Sequence, residues 1–184
     1  MSVIENLSSV KIALIVAACF FQYGRYWADW AFDYYLIWSD PAARPNAFAN
    51  AALYYANQND TPQVHQYISC VDLLIASIGI GAGLASMRDA NILFDGASLV
   101  LMISAIASHV TSIIPSIDLV AKSSNEDEIM EALKNIAVAH TIIVTAVTGI
   151  VLLQVAHYFC IRRWAREDAA EHTKHAKKHK HKAH

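Results

Sequence analysis

Four apolar blocks, each close to the length of a bilayer crossing, divide this sequence at positions 10–30, 67–86, 92–114 and 136–160. A helix rises about 1.5 Å per residue, so roughly 20 residues bridge a hydrocarbon core of about 30 Å. Inside lipid each backbone N–H and C=O needs a partner from the chain itself, which favours helices over open strands. The sequence therefore predicts an all-α membrane protein with four transmembrane helices. Charged residues are only 16% of the 184, against about a quarter in a soluble domain. They gather between the blocks and at the C-terminal end.

The first block opens with KIALIVAACFF and then turns aromatic, with Tyr23, Tyr26, Trp27, Trp30, Phe32, Tyr34, Tyr35 and Trp38. Such rings collect at the headgroup level, so the span is expected to leave the membrane near Trp27 to Trp30. No small-residue cleavage site follows its apolar core, so the block reads as a retained helix rather than a signal peptide. Arg25, Asp29 and Asp33 share one helical face, where Arg25 can pair with Asp29 or snorkel outward.

A connection from about Ser39 to Gln66 holds Pro41, Pro45, Pro62 and the stretch NAFANAALYYANQ, which reads as a short lumenal amphipathic helix after an Asn or Pro start. The second block carries Gly79, Gly81 and Gly83, and residues this small allow close approach of another helix. Pro115 is expected to end the third block. A polar acidic connection follows, in which Ser123 or Ser124 can cap a helix opened by Glu126, Asp127 and Glu128. Residues 1–160 thus form a four-span membrane domain, and residues 161–184 a basic, disordered tail. Four crossings put both termini on one side. Cytosolic termini place Lys11, Arg88 and the tail cations Arg162, Arg163, Arg166, Lys174, Lys177, Lys178, Lys180 and Lys182 there, which agrees with the bias of basic flanks.

Polar residues inside the blocks admit two readings each. Asp72 and Asp95 lie near block ends, where a carboxylate can reach headgroups or backbone N–H groups, or can contact a neighbouring helix. His109 and His140 are expected at similar depth. Two imidazoles there can bind a metal or relay a proton; the plainer reading is two histidines hydrogen-bonded separately, because no third ligand is well placed. The sequence holds no HExxH, GxSxG, glycine-rich phosphate loop or paired-cysteine redox motif. Cys19, Cys70 and Cys160 fall in different blocks and make no disulfide framework. Neither a catalytic residue, a metal site nor a cofactor is expected. Asn59-Asp60-Thr61 is formally a glycosylation sequon, but Pro62 and the nearby membrane argue against its use; Asn6-Leu7-Ser8 would be cytosolic.

The chain ends Lys180-His181-Lys182-Ala183-His184. Lysines third and fifth from a cytosolic terminus look like a dilysine retrieval signal, read as two ammonium groups at fixed offsets from the terminal carboxylate. The same lysines can attract anionic lipid, at about 1 kcal/mol each, and the spaced tail histidines can hold a metal weakly. No nucleic-acid-binding module accompanies the charge.

Four stretches resemble the fungal endoplasmic-reticulum packaging chaperones for amino-acid permeases, in matching order and spacing. FDYYLIWSD at 32–40 resembles the tyrosine-rich exit of that family's first span, and ALYYANQNDTP at 52–62 its first lumenal loop. FDGASLVLM at 94–102 is similar to the opening of its third span, and VLLQVAHYF at 151–159 to the close of its fourth. The resemblance implies a non-enzymatic, multi-pass protein of the endoplasmic-reticulum membrane. It implies that newly made amino-acid permeases are held by the membrane part, and that vesicle-coat components meet the tail. Candidate contacts with these clients are the small and mildly polar Asp72, Gly79, Gly81, Gly83, Asp95, Ser98, Ser104, Thr145, Thr148 and Gly149. One interhelical hydrogen bond averages only about 0.6 kcal/mol in a membrane, which suits a transient holder. A rival reading is a small four-span membrane enzyme or transporter-associated subunit that uses His109, His140, Asp72 or Asp95. A third is a tetraspan scaffold for vesicle coats.

Overall fold

A computed structural model describes residues 3–39, 44–61, 63–85 and 89–182, with side chains for 8–39, 44–61, 71–85, 92–167 and 169–170. The architecture is all-α. Helix α1 spans Val3–Ile37, α2 Ala47–Asn59, α3 Gln63–Ala85 and α4 Asp89–Ser108; a π-helical turn over His109–Ile113 leads into α5, Ile114–Lys122, and α6 spans Glu126–Lys182. Helices α1, α3, α4 and α6 form a ring in which α1 packs on α3 and α6, and α4 on α3 and α6. Helix α2 lies across one end of the ring, against α1, α5 and α6.

The inside of the ring is lined by a core of Ile15, Ala18 and Cys19 of α1, Ala76 and Ile80 of α3, Met102 of α4, and Ile143, Val147 and Ile150 of α6. A smaller core under α2 joins Ala51 and Tyr55 to Val120, Leu133 and Ile136. Two glycines lie against neighbouring helices. A methyl group at Gly79 would stand 2.8 Å from Ile15 Cγ1, and one at Gly149 2.7 Å from Leu101 Cδ1. At Gly79 the contact is with a branch close to the Ile15 backbone, so α1 and α3 approach closely there, whereas at Gly149 a turn of the Leu101 side chain would make room.

The outside of the ring is apolar too. Val100 is 64% exposed, Leu152 65% and Trp27 78%. Water would penalise such a surface by about 25 cal/mol for each apolar Å², whereas hydrocarbon does not. Among the described residues, two helical stretches are long and apolar enough to cross a membrane, Ile92–Lys122 and Glu126–Glu167. The apolar part of α3, Val71–Ala85, is shorter.

Three expectations require correction. Pro115 does not end the third block. The Ile114 N–H bonds to the His109 carbonyl, five residues back, and this wider turn admits a proline one residue later at the start of α5. The acidic connection is mostly helix, because only residues 123–125 separate α5 from α6. Its cap is Asn125 rather than a serine: Asn125 Oδ1 accepts from Asp127 N at 3.1 Å, while Ser123 Oγ donates to Glu128 Oε2 at 2.7 Å. The tail is not disordered either, since α6 continues without a break to Lys182. No glycine or proline follows Gly149. The tail is rich in alanine, lysine and arginine, all strong helix formers, and an exposed Arg163–Glu167 pair at 2.8 Å supports it.

Candidate functional site

Polar side chains enter the ring at three levels. At the level where α1 begins, Lys11 Nζ meets Asp95 Oδ2 at 2.6 Å. Gln154 of α6 donates through Nε2 to Asp95 Oδ1 at 3.1 Å and to Ser98 Oγ at 3.0 Å. His157 lies 3.8 Å from Asp95 and stacks on Phe94 at 5.0 Å. Asp95, Ser98, Gln154 and His157 have no exposed surface. Gly83 completes the level, since a side chain there would collide with the Asp95 carboxylate and stand 2.6 Å from Lys11 Nζ. A buried ion pair loses much of its Coulomb gain to desolvation, so its worth here is registry among α1, α3, α4 and α6.

The middle level is a small cavity of about 70 Å³ at the ring centre. Its deep wall is aliphatic, from Ile80, Met102 and Val147, and its polar side comes from Gln22, Arg25, Asp72 and His109. Gln22 Nε2 donates to Asp72 Oδ2 at 2.7 Å. His109 Nδ1 is buried without a hydrogen-bond partner among the described residues. The volume admits a few waters or one small aliphatic group.

At the far level two carboxylates of α1 hold α2 and α6. Asp33 Oδ1 accepts from Tyr55 OH at 2.5 Å, and Asp33 Oδ2 lies 2.6 Å from His140 Nδ1. Asp29 Oδ1 accepts from Tyr54 OH at 2.7 Å and from Gln58 Nε2 at 3.1 Å. Asp29 thus turns to α2 instead of to Arg25. Burial first, then the nearby Asp33 and Asp29 carboxylates, push the Tyr55 phenol far above its usual value. The Tyr54 phenol rises to about 12, through burial and then its hydrogen bond to Asp29.

The ten positions singled out in the sequence divide into two groups. Asp72, Gly79, Gly83, Asp95, Ser98 and Gly149 meet neighbouring helices of this chain. Gly81 faces open space, and Ser104 and Thr145 are exposed, with their hydroxyls donating to Val100 and Thr141 carbonyls of their own helices. Thr148 does both, since Tyr23 OH donates to it at 2.7 Å while it donates to Val144 O. His140 bonds Asp33 while His109 lines the central cavity, and the described residues contain no group of three or more His, Cys, Asp or Glu fit for a metal. Cys19 and Cys160 are free thiols. The side chains of Cys70, Lys180 and Lys182 lie outside the described residues. Reading the sequence for acids missed Lys11, Gln22, Gln154 and His157. The signal was present, because an amide within an apolar block must find a partner.

A family model described as ER membrane protein SH3, the SHR3 chaperones, matches residues 6–184. The chain belongs to this family. SHR3 chaperones are non-catalytic, and this one is a membrane chaperone of the endoplasmic reticulum that assists the folding and packaging of amino-acid permeases. No curated protein and no solved structure matches the chain. For an SHR3 chaperone, a polar interior that is largely self-satisfied makes chemical sense. It ties the ring together and leaves few groups on the outside to grip a client.

Proposed function

We propose that α1, α3, α4 and α6 each cross the membrane, with both termini cytosolic and α2 at the lumenal surface, and that unfinished permease helices dock on the outer face of the ring. One observation carries this reading: among the described residues Asp95, Ser98, Gln154 and His157 are buried within the ring, whereas its outer face presents aliphatic side chains interspersed with small or weakly polar residues such as Gly24, Gly81, Ser104, Thr111, Thr145 and Thr148. A serine or threonine already bonded to its own helix can exchange that bond for one to a client at small net gain. Contacts of this kind hold an incomplete transporter and release it once its own helices pack.

In the same reading, residues 161–184 leave the membrane on the cytosolic side and meet vesicle-coat components, with Lys180 and Lys182 as the retrieval signal. Helix α6 supports this, because 57 residues extend about 85 Å, far beyond a core of about 30 Å. Asn59 would then be lumenal and close to the headgroups.

Photocrosslinking during permease synthesis tests the docking face. Probes at Ser104 and Thr145 should trap permease, and probes at Ser98 and Ile15 should not. Equal trapping at all four positions would remove the outer face as the site.

A further inference from the structure

A second concavity lies outside the ring, between the last turns of α1 and one side of α2. It is a groove of about 440 Å³ walled by Phe32, Tyr35 and Tyr54, with Asn50, Asn57 and Arg44 along it. Phe32 and Tyr54 stack at 4.0 Å with 13° between their planes, so that wall is rigid. The Arg44 guanidinium carbon lies 4.5 Å from the centre of the Tyr35 ring. Stacking of this kind engages the face of the guanidinium and leaves its N–H edge open to a forked acceptor. Asn50 and Asn57 are seven positions apart, two turns along one face of α2, and each amide offers two N–H donors. Among the described residues that line the groove, Arg44 is the only one with a charge.

We propose that this groove binds one phospholipid headgroup, with its phosphate on Arg44 and its ester or glycerol oxygens on Asn50 and Asn57. The proposal rests on the reading in which α1 crosses the membrane, and depth is what selects a lipid as the occupant. The groove begins where α1 passes its exposed Trp27, Trp30, Tyr34 and Trp38, the belt that marks the headgroup layer. Leu53, at the groove, is 64% exposed and offers an apolar ledge for the start of an acyl chain. A planar, five-donor cation held in place beside amide donors fits a phosphate oxygen pair better than it fits a neutral group. Bound there, a lipid bridges α1 and α2, which both line the groove.

The full chain in mild detergent, mixed with phosphatidylinositol or phosphatidylcholine and read by native mass spectrometry, tests this. One phosphatidylinositol should be retained per chain, in preference to phosphatidylcholine. Arg44→Gln should lower its retention roughly tenfold, the worth of one lost hydrogen bond to a charged group, and Arg44→Lys should fall between. Arg162→Gln with Arg163→Gln, beside the membrane at the opposite end, should change nothing. Retention unaffected by Arg44→Gln overturns the proposal. So does loss that follows the Arg162 and Arg163 changes, or an acidic peptide that displaces the lipid and is itself lost with Arg44→Gln. Impermeant labelling of Ser8→Cys and Ser39→Cys in sealed microsomes reads the crossing separately. If both label from one side, α1 does not span and the topology fails, whatever the lipid result.

Discussion

Asp33 on α1 and His140 on α6 meet with Oδ2 2.6 Å from Nδ1, although 107 positions separate them in the chain. Tyr55 of α2 reaches the same carboxylate through its other oxygen. One side chain therefore joins three helices at the end of the ring where α2 lies. Asp33→Ala should cost about 3–5 kcal/mol, because it strips two buried polar groups of their shared partner. Tyr55→Phe should cost about 1.5–3 kcal/mol for one hydrogen bond to a charged group. Thermal unfolding in detergent measures both, and the double variant should fall well short of their sum.

Alkali should loosen α2. The Tyr54 phenol is raised to about 12 by burial and by its bond to Asp29, against about 10 in an unfolded chain. Folding therefore favours the protonated phenol. Its contribution is fully present below about pH 10 and is lost as the pH rises through about 12. Tyr55, raised further still, ionises later. Tyrosinate absorbance followed during an alkaline titration should lose one late-titrating phenol in Tyr54→Phe. An unchanged titration curve would show that Asp29 does not hold this hydroxyl.

At the opposite end, Lys11 and Asp95 should behave as a unit. Lys11→Met leaves a fully buried carboxylate uncompensated and should destabilise by about 3–5 kcal/mol. Adding Asp95→Leu to it should restore much of the loss, since a matched apolar pair avoids the desolvation cost. Gly83→Ala should resemble Lys11→Met, because its methyl group meets the Asp95 carboxylate and Lys11. Melting temperatures of the three variants decide this, and a stable Gly83→Ala would refute the tight packing.

Much of this fold was legible because apolar block length is a local property. The positions of α3, α4 and α6 follow from it, and the alanine-rich stretch after Asn46 does form α2. Helix ends were less legible. The π-turn that carries the chain past Pro115 depends on one hydrogen-bond register, which no residue type announces. The tail was read by charge, while alanine and lysine propensity settled its helix. The pairs that tie the ring were the least visible: Lys11 with Asp95 and Gln22 with Asp72 are separated by 84 and 50 positions. Nothing local links them. Sequence reasoning found half of each pair, the acid, because an acid in an apolar block stands out more than an amide.

The glycines of α3 offer the sharpest separation of stability from client handling. Gly79 and Gly81 are neighbours in the sequence but face opposite surroundings. A side chain at Gly79 runs into Ile15, and one at Gly81 meets nothing within 4 Å. Gly79→Leu should therefore push α1 from α3 and lower the melting temperature, with permease delivery failing because the chaperone itself fails. Gly81→Ala should be neutral or should stabilise by up to about 1 kcal/mol, the helix preference of alanine over glycine. Gly81→Leu should keep the fold while adding bulk to the outer face. If clients dock there, permease will aggregate in the endoplasmic reticulum although the chaperone melts normally. Measuring the melting temperature and surface permease for the same variants distinguishes the two glycines. Normal permease delivery by Gly81→Leu would exclude this part of the outer face from client contact.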